Sequence, residues 1–209
     1  MDIIELTRHS PQELTERLRQ VPLLNQPDIR VYGEALISLE QIHTDNLAPT
    51  QNYVWLAEFR KVQELRWSLA EHGVDLFRLD GFVTYTVRGE DGAEVPYNVY
   101  PPVVEESLEA DGRVALLIND GMHRLYLARL ERVVPQVVYV RGVPKDYPYY
   151  AFPRPEGWEG IDLLAANPDP KTYLKKCHRR RDNKRLYRDF QAVFANVGRS
   201  RSQLLNPPR

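Results

Sequence analysis

The pattern of apolar and polar residues near the start of the chain predicts one short helix followed by an irregular connection. Ser10 can cap this helix, Pro11 suits its first turn, and Glu13 completes a capping box in which the two side chains bind backbone N–H groups. Apolar residues recur on one side of the helix as far as Gln20. Residues 21–33 contain two prolines and no regular period, so they are predicted to form a connection.

A strand and a long helix are predicted next. Ala35–Leu39 is typical of a strand, or of a strand running into a helical turn, and Pro49–Asn52 is rich in turn formers. A helix is predicted from about Val54 to His72, ended by a glycine that can close it. Its apolar positions recur at nearly helical spacing: Leu56, Phe59, Val62, Leu65, Trp67 and Leu69.

After residue 81 the apolar residues follow a period of two, which is typical of β-strands. Phe82–Val87 contains good strand formers on both faces. Gly89–Gly92 has the composition of a hairpin loop, and Glu94–Val99 is predicted to be the returning strand. A short strand can begin at Val103.

A strand–helix–strand unit follows. Val114–Asn119 is nearly all apolar, which favours a strand buried on both faces. Asp120 and Gly121 turn the chain into a helix predicted from about Met122 to Arg132, and Gln136–Arg141 is a further apolar strand. This order of elements indicates a small α/β (α+β) domain with a mixed sheet.

The last third of the chain predicts an aromatic loop and a helical appendage. Tyr147–Pro155 is stiff and aromatic, and the segment Tyr147–Trp158 can either pack on the surface or act as a lid that stacks on a base. Residues from Pro170 to about Val197 predict one long basic helix. We therefore divide the chain into an N-terminal helix and connection (1–34), a central domain (35–165) and a basic helical C-terminal segment (166–209).

Composition favours a cytoplasmic globular protein. The chain has 209 residues, 43% hydrophobic and 27% charged, with a formal net charge of -1. Its longest apolar runs are too short to cross a bilayer, and the first ten residues lack the basic start and apolar stretch of a secretory signal. A single cysteine, Cys177, excludes an internal disulfide and a zinc site built from several cysteines.

A block of positive charge stands out against this balanced total. Nine lysines and arginines fall between residues 171 and 188, against one acid, Asp182. Such a block suits nucleic acid, the acidic remainder of the chain, or a second subunit in a homo-oligomer, and these alternatives stay open. If the partner is nucleic acid, the predicted phosphate contacts are Lys175, Arg179, Arg180 and Arg181.

The turn between the buried strand and its helix is the strongest candidate for a binding site. Backbone N–H groups at a helix N-terminus attract anions, and Gly121 allows a ligand to approach the backbone. His123 and Arg124 lie in the first helical turn, where arginine can hold a phosphate through two parallel hydrogen bonds. Asp120 can cap the helix or hold a metal ion beside a phosphate.

This turn resembles the signature of the ParB/sulfiredoxin superfamily. The similarity rests on residues 116–124, on Ala128–Leu130 and on the strand Pro135–Val140, and it extends over about residues 35 to 142. The resemblance implies a ParB/sulfiredoxin-like domain that binds a nucleotide with its phosphates on the turn. In this family context the implied binding residues are Asn119, Gly121, Met122, His123 and Arg124.

Departures from the family pattern separate its branches. Sulfiredoxins carry a cysteine where this chain has Met122, and a thioether cannot act as the reducing nucleophile. Free serine kinases of this fold have a similar turn, but Gln51 lies near the place of their catalytic glutamate, and glutamine cannot accept a proton. Kinase activity would need another carboxylate, for which the candidates are Glu58, Glu105 and Glu106.

The resulting hypothesis is a nucleotide-binding protein that transfers or hydrolyses a phosphoryl group of ATP or ADP with Mg²⁺, such as a small-molecule kinase or a nucleotide triphosphatase. Asp120 would hold the metal, and Asp120, His123 and Glu105 are the catalytic candidates. The partners would be the nucleotide and a small-molecule acceptor. The alternatives are a nucleic-acid-binding or nuclease-like module that uses the basic C-terminal helix, and a catalytically silent regulator that senses a nucleotide.

Overall fold

The protein is a mixed α+β domain. The computed structural model describes residues 2–89, 91–166, 168–169, 173–174, 178–179 and 183–197. Its helices and strands, in chain order, are β1 (Ile3–His9), α1 (Pro11–Arg19), β2 (Leu36–Gln41), β3 (Tyr53–Trp55), α2 (Leu56–Glu71), β4 (Phe82–Arg88), β5 (Glu94–Val99), β6 (Val103–Leu108), β7 (Val114–Asp120), α3 (Met122–Leu130), β8 (Gln136–Arg141) and β9 (Asp162–Leu164).

Two larger sheets carry most of these strands. The four-stranded sheet has the order β2-β8-β6-β7, in which β6 runs parallel to β8 and the other neighbours are antiparallel. The three-stranded sheet has the order β1-β4-β5 and is antiparallel throughout. A short parallel pair, β3 and β9, completes the architecture. The four-stranded sheet therefore places the end of β7, where the candidate turn begins, beside the start of β6.

The four-stranded sheet has a buried core on each face. On one face, Val103 and Val138 pack with Leu14 of α1 and with Phe190 and Phe194 from the end of the chain. The other face packs against α2 and α3 through the buried residues Val104, Ile118, Phe59, Leu125 and Val137. Residues of all three predicted segments thus contribute to the first core cluster.

Local sequence signals predicted several elements correctly. Ser10 caps α1 and forms the complete capping box with Glu13. Gly73, which follows α2, has a φ of +68°, the left-handed conformation predicted for it. The β4–β5 hairpin, the strand β7 and the helix α3 also form where they were predicted, because caps, turns and periodicity act over only a few neighbouring residues.

Strand β1 was not predicted. Only Ile3 of its seven residues is buried, so the segment lacks the alternation that marks a half-buried strand. It becomes a strand because it pairs antiparallel with β4 over the length from Ile3 to His9. The partner strand, rather than the local sequence, decides its structure.

The prediction of one long helix from Pro170 to Val197 was wrong for the residues that the structure describes. Asn183–Leu186 and Phe190–Ala192 are 3₁₀-helices, and the chain between them is extended. There the backbone pairs with the connection after α1: the N–H of Leu24 donates to the carbonyl of Tyr187, and that of Asp189 donates to Pro22. These hydrogen bonds to a distant part of the same chain take the place of the hydrogen bonds of a helix.

The aromatic loop packs against the body of the protein. Tyr149 and Tyr150 are buried in a cluster with Leu117 of β7 and Tyr187. Trp158 donates from Nε1 to the carbonyl of Thr44 at 2.7 Å. The structure therefore favours the packed surface loop over the lid.

None of the helices formed by the described residues has both the length and the apolar character needed to cross a membrane.

Candidate functional site

The turn between β7 and α3 depends on the backbone conformation of Gly121. This glycine caps α3 with a φ of +85°, in the left-handed region that other residues rarely adopt. A Cβ atom placed there would lie 2.7 Å from the Cβ of Pro102 and 3.0 Å from Nη2 of Arg124. Gly121 is therefore required both for the turn and for its close packing against the residue before β6.

Asp120 and Arg124 form an ion pair across this turn. Nη2 of Arg124 donates to Oδ2 of Asp120 at 2.8 Å, and Nη1 donates to the carbonyl of Tyr100. The guanidinium also lies 5.5 Å from the centre of the Tyr100 ring. The side chain of Asp120 is 32% exposed and that of Arg124 is 12% exposed. The carboxylate therefore reaches solvent, while the guanidinium is held just beneath it.

His123 joins the N-termini of two helices. Its Nε2 accepts the backbone N–H of Trp55 at 3.2 Å, and Trp55 is the cap residue of α2. A nitrogen that accepts a hydrogen bond carries no proton, so this contact places the proton of a neutral imidazole on Nδ1. The contact brings the first turns of α2 and α3 together.

Met122 and Asn119 contribute to the turn in ways that their residue types did not reveal. Met122 is buried, and its side chain packs in the core with Leu125. Nδ2 of Asn119 donates to Tyr32 and to Glu105, both at 2.7 Å, and its buried Oδ1 has no partner among the described residues. That oxygen is an acceptor, so it cannot bind a phosphate oxygen directly.

Glu105 is a buried ion-pair partner rather than a surface catalyst. It is 1% exposed and accepts two hydrogen bonds from Arg188, at 2.8 and 3.1 Å. Tyr32 donates to the same carboxylate at 3.0 Å. Because both carboxylate oxygens are engaged and shielded from solvent, Glu105 holds elements of the fold together, which corrects its assignment as a catalytic candidate.

The remaining residues considered for a kinase-like role are also engaged. Glu58 pairs with Lys61, and Glu106 accepts from the hydroxyl of Tyr139. Gln51 is buried and donates to the carbonyl of Tyr53 at 2.5 Å. Gln51 offers no carboxylate, whereas Glu58 lies in the first turn of α2, whose cap residue Trp55 contacts His123.

One residue of the predicted nucleic-acid set lies in the described part of the chain. Arg179 donates to Glu109 at 2.6 and 2.9 Å and to the carbonyl of Tyr149 at 2.8 Å. Its guanidinium also stacks over Phe152 at 4.4 Å. All three guanidinium nitrogens of Arg179 thus already donate to groups of the protein. The other members of the set, Lys175, Arg180 and Arg181, lie outside the described residues.

The contact between Glu109 and Arg179 is expected to make part of the stability depend on acid pH. Burial raises the pKa of Glu109, but hydrogen bonds from Arg179 and Ser107 outweigh it, and the pKa falls below its ordinary value of 4.5. A carboxyl whose pKa is lower in the folded state stabilises the fold above its unfolded pKa, and this contribution is lost as the pH falls through the folded pKa.

We therefore expect Glu109→Gln to be less stable than the wild type near neutral pH and to approach it in acid. Urea unfolding of both proteins from about pH 7 to about pH 3 measures this difference. A difference that stays constant over that range would contradict the assignment.

A magnesium site made by protein side chains alone does not form in the described part of the chain. Those residues contain no group of three or more histidine, cysteine, aspartate or glutamate side chains placed to share an ion. Asp120 is the carboxylate of the turn, and one of its oxygens already accepts from Arg124. Magnesium is often held by one carboxylate together with substrate phosphates, so Asp120 fits a metal that arrives with a nucleotide.

Arg188 is the residue that sequence reasoning missed. It lies inside the basic block, for which pairing with the acidic remainder of the chain was one of the alternatives, and it is 1% exposed in its pair with Glu105. Burial lowers the pKa of Arg188, but Glu105 and Tyr32 outweigh this effect and the pKa is raised. The one available signal was its position among the apolar residues Leu186, Tyr187 and Phe190.

Comparison with known proteins agrees with this fold. The family model described as the ParB CE domain matches residues 13–162, which is more than two thirds of the chain. No curated protein and no solved structure matches the chain significantly. The matched range includes α1 from Glu13 onward, both strands of the β6–β7 hairpin, the turn and α3. It leaves out β1 and the residues after 162. The chain therefore belongs to the ParB CE domain family.

Proposed function

We propose that this protein binds a nucleotide through its phosphates at the turn Asp120–Arg124. The observation that carries the proposal is the glycine-capped start of α3, where the cap residue has no side chain to bond the backbone N–H groups of the first turn. Family membership supports the same location, because the superfamily that the sequence resembles binds nucleotides on this turn. ATP or ADP is the expected ligand.

Arg124 and Asp120 would divide the work of binding. The guanidinium of Arg124 is held in place by the carbonyl of Tyr100, so it can contact a phosphate without first being ordered. Asp120 would hold a Mg²⁺ ion that arrives with the nucleotide, and that ion would neutralise part of the phosphate charge. His123 would support the turn through its contact with Trp55.

Phosphoryl transfer to a small-molecule acceptor, or hydrolysis, is the extension of this proposal. Such chemistry needs a proton acceptor near the phosphate. Asp120 is the candidate at the turn, because Nε2 of His123 already accepts from Trp55 and its Nδ1 carries the ring proton. Glu105 is buried in its pair with Arg188 and does not serve this role. Turnover is therefore measured separately from binding, and a protein that binds without turnover would be the silent sensor.

Calorimetric titration with ATP, ADP and CTP, each with and without Mg²⁺, tests the proposal. Saturable binding of at least one nucleotide, stronger with Mg²⁺, is expected. Absence of binding to all three would overturn it. A parallel titration with DNA and RNA covers the alternative, since binding through basic residues would fall steeply with added salt.

Replacing Arg124 with alanine should weaken nucleotide binding. Loss of one charge-assisted contact to a phosphate is worth about 1.5–3 kcal/mol of binding free energy. Arg129→Ala is the matched control, because Arg129 lies in the same helix but pairs with Asp45. Titrations of both variants with ATP measure the effect. Equal affinities for the two variants would contradict the role of Arg124.

A further inference from the structure

Residues 183–197 pack against the strand β6, next to the candidate site. Residues 183–197 lie outside the range matched by the family model, yet Arg188 from this segment is buried against β6. It makes five hydrogen bonds: to both carboxylate oxygens of Glu105 and to the carbonyls of Pro148, Leu186 and Tyr147. This side chain therefore links the C-terminal segment, the aromatic loop and β6.

The same network continues to the residue before the turn. Glu105, held by Arg188, accepts from Nδ2 of Asn119 at 2.7 Å. The hydroxyl of Tyr149 donates to the main-chain carbonyl of Asn119 at 3.3 Å. Asn119 is thus held at both its side chain and its backbone, and Asp120 follows it directly in the chain.

Stability alone does not account for the burial of the Glu105–Arg188 ion pair. Removing two charges from water offsets most of their attraction, so an apolar pair of similar volume is often equally stable. What the charged pair adds is direction: the carboxylate of Glu105 fixes the amide of Asn119 in one orientation. The network therefore has a geometric consequence at the turn that an apolar pair would lack.

We propose that Arg188 is a positioning residue for the Asp120–Arg124 turn, acting through Glu105 and Asn119. Residues 183–197 are on this view a component of the site. The expected effect of Arg188 on nucleotide binding rests on the proposed function. The expected effect of Arg188 on the structure is independent of that function: without Arg188, the turn should open more often even in the absence of any ligand.

A second ion pair of the same type supplies the matched control. Arg179, also from the C-terminal part of the chain, pairs with Glu109 at the far end of β6, beside the β6–β7 hairpin. The two pairs differ in what lies next to them. The Arg188 pair adjoins Asn119, whereas the Arg179 pair adjoins the hairpin in which the N–H of Glu109 donates to the carbonyl of Arg113.

Amide hydrogen exchange followed by NMR, on the full chain without ligand, tests the positioning role. The reporter is the N–H of Leu125, which donates to the carbonyl of Gly121 at 2.9 Å and closes the turn. Arg188→Met should raise the exchange rate of this amide about tenfold or more over the wild type, while the slowest core amides change less. Such a difference indicates a local opening. Arg179→Met should instead accelerate the Glu109 amide and leave Leu125 unchanged.

Arg188→Met leaves Glu105 buried without its ion-pair partner, so this variant can fail to fold. The double variant Glu105→Leu with Arg188→Met avoids this problem and still tests the positioning role. This variant removes both charges, so its stability should be near that of the wild type, while Asn119 loses its carboxylate acceptor and keeps only the hydroxyl of Tyr32. Faster exchange at Leu125 in this stable variant supports the positioning role. Exchange within twofold of the wild type, or equal acceleration of all amides, would overturn it.

Titration with ATP and Mg²⁺ then separates the two proposals. If the wild type binds ATP, the double variant should bind about tenfold more weakly, whereas Arg179→Met should bind as the wild type does. If the wild type binds no nucleotide, the proposed function fails while the exchange data still decide the role of Arg188. If the double variant binds ATP like the wild type, the link between Arg188 and the ligand is wrong.

Discussion

Replacing Glu105 with leucine is expected to lower the free energy of unfolding by about 3–5 kcal/mol. The substitution removes one partner of an ion pair in which both side chains are almost completely buried. Arg188 would then keep its charge in the protein interior without the carboxylate that compensates it. Tyr32 would also lose its acceptor, and Asn119 would lose one of its two. Uncompensated burial of a charge is among the costliest results of a single substitution.

Urea unfolding at neutral pH measures this loss. Glu109→Leu is the matched control, because Glu109 also pairs with an arginine but at a less buried position, and a smaller loss is expected for it. The double replacement of Glu105 by leucine and Arg188 by methionine should recover most of the stability. A loss below about 1 kcal/mol for Glu105→Leu would show that breaking the buried pair does not destabilise the fold as expected.

Replacing Gly121 with alanine is expected to lower the free energy of unfolding by about 2–5 kcal/mol, from two sources. A residue with a Cβ in the left-handed conformation costs roughly 1–2 kcal/mol. Crowding against a packed neighbour costs a further 1–3 kcal/mol or so. The neighbour here is Pro102, whose Cα and Cβ would lie 3.0 and 2.7 Å from the added carbon.

Gly112 separates these two sources. It lies in the β6–β7 hairpin with a φ of +81°, close to that of Gly121, but a Cβ there would meet nothing within 4 Å. Gly112→Ala should therefore show the conformational cost alone, about 1–2 kcal/mol. Thermal or urea unfolding of both variants gives the difference. Equal losses at the two positions would mean that the contact with Pro102 is relieved by a small shift.

Together these contacts explain why the turn can be ordered before a ligand arrives. Gly121 packs against the residue before β6, Arg124 is held by the carbonyl of Tyr100, and Asn119 is held by the Glu105–Arg188 pair. These contacts join the turn to the connection between β5 and β6 and to β6 itself. Preorganisation of this kind lowers the entropy lost on binding.

The prediction of the turn from sequence was sound because its signals are local. A run of strand formers, Asp120–Gly121 and a helical pattern after Met122 lie within twenty residues, and the structure forms β7, the glycine cap and α3 there. The roles of individual side chains were harder to assign. His123 and Arg124 were interpreted as ligand contacts, and the structure adds their partners Trp55 and Tyr100.

The amino-acid sequence by itself determined several local elements of this protein: the capped helix α1, the β4–β5 hairpin, and the strand–turn–helix that carries the candidate site. Caps, turns and periodicity act between residues a few positions apart, so they can be derived without knowing the fold. Only the tertiary structure decided which charges are paired. Glu105 and Arg188 are 83 positions apart, and nothing within either segment reveals that folding buries them together beneath the turn.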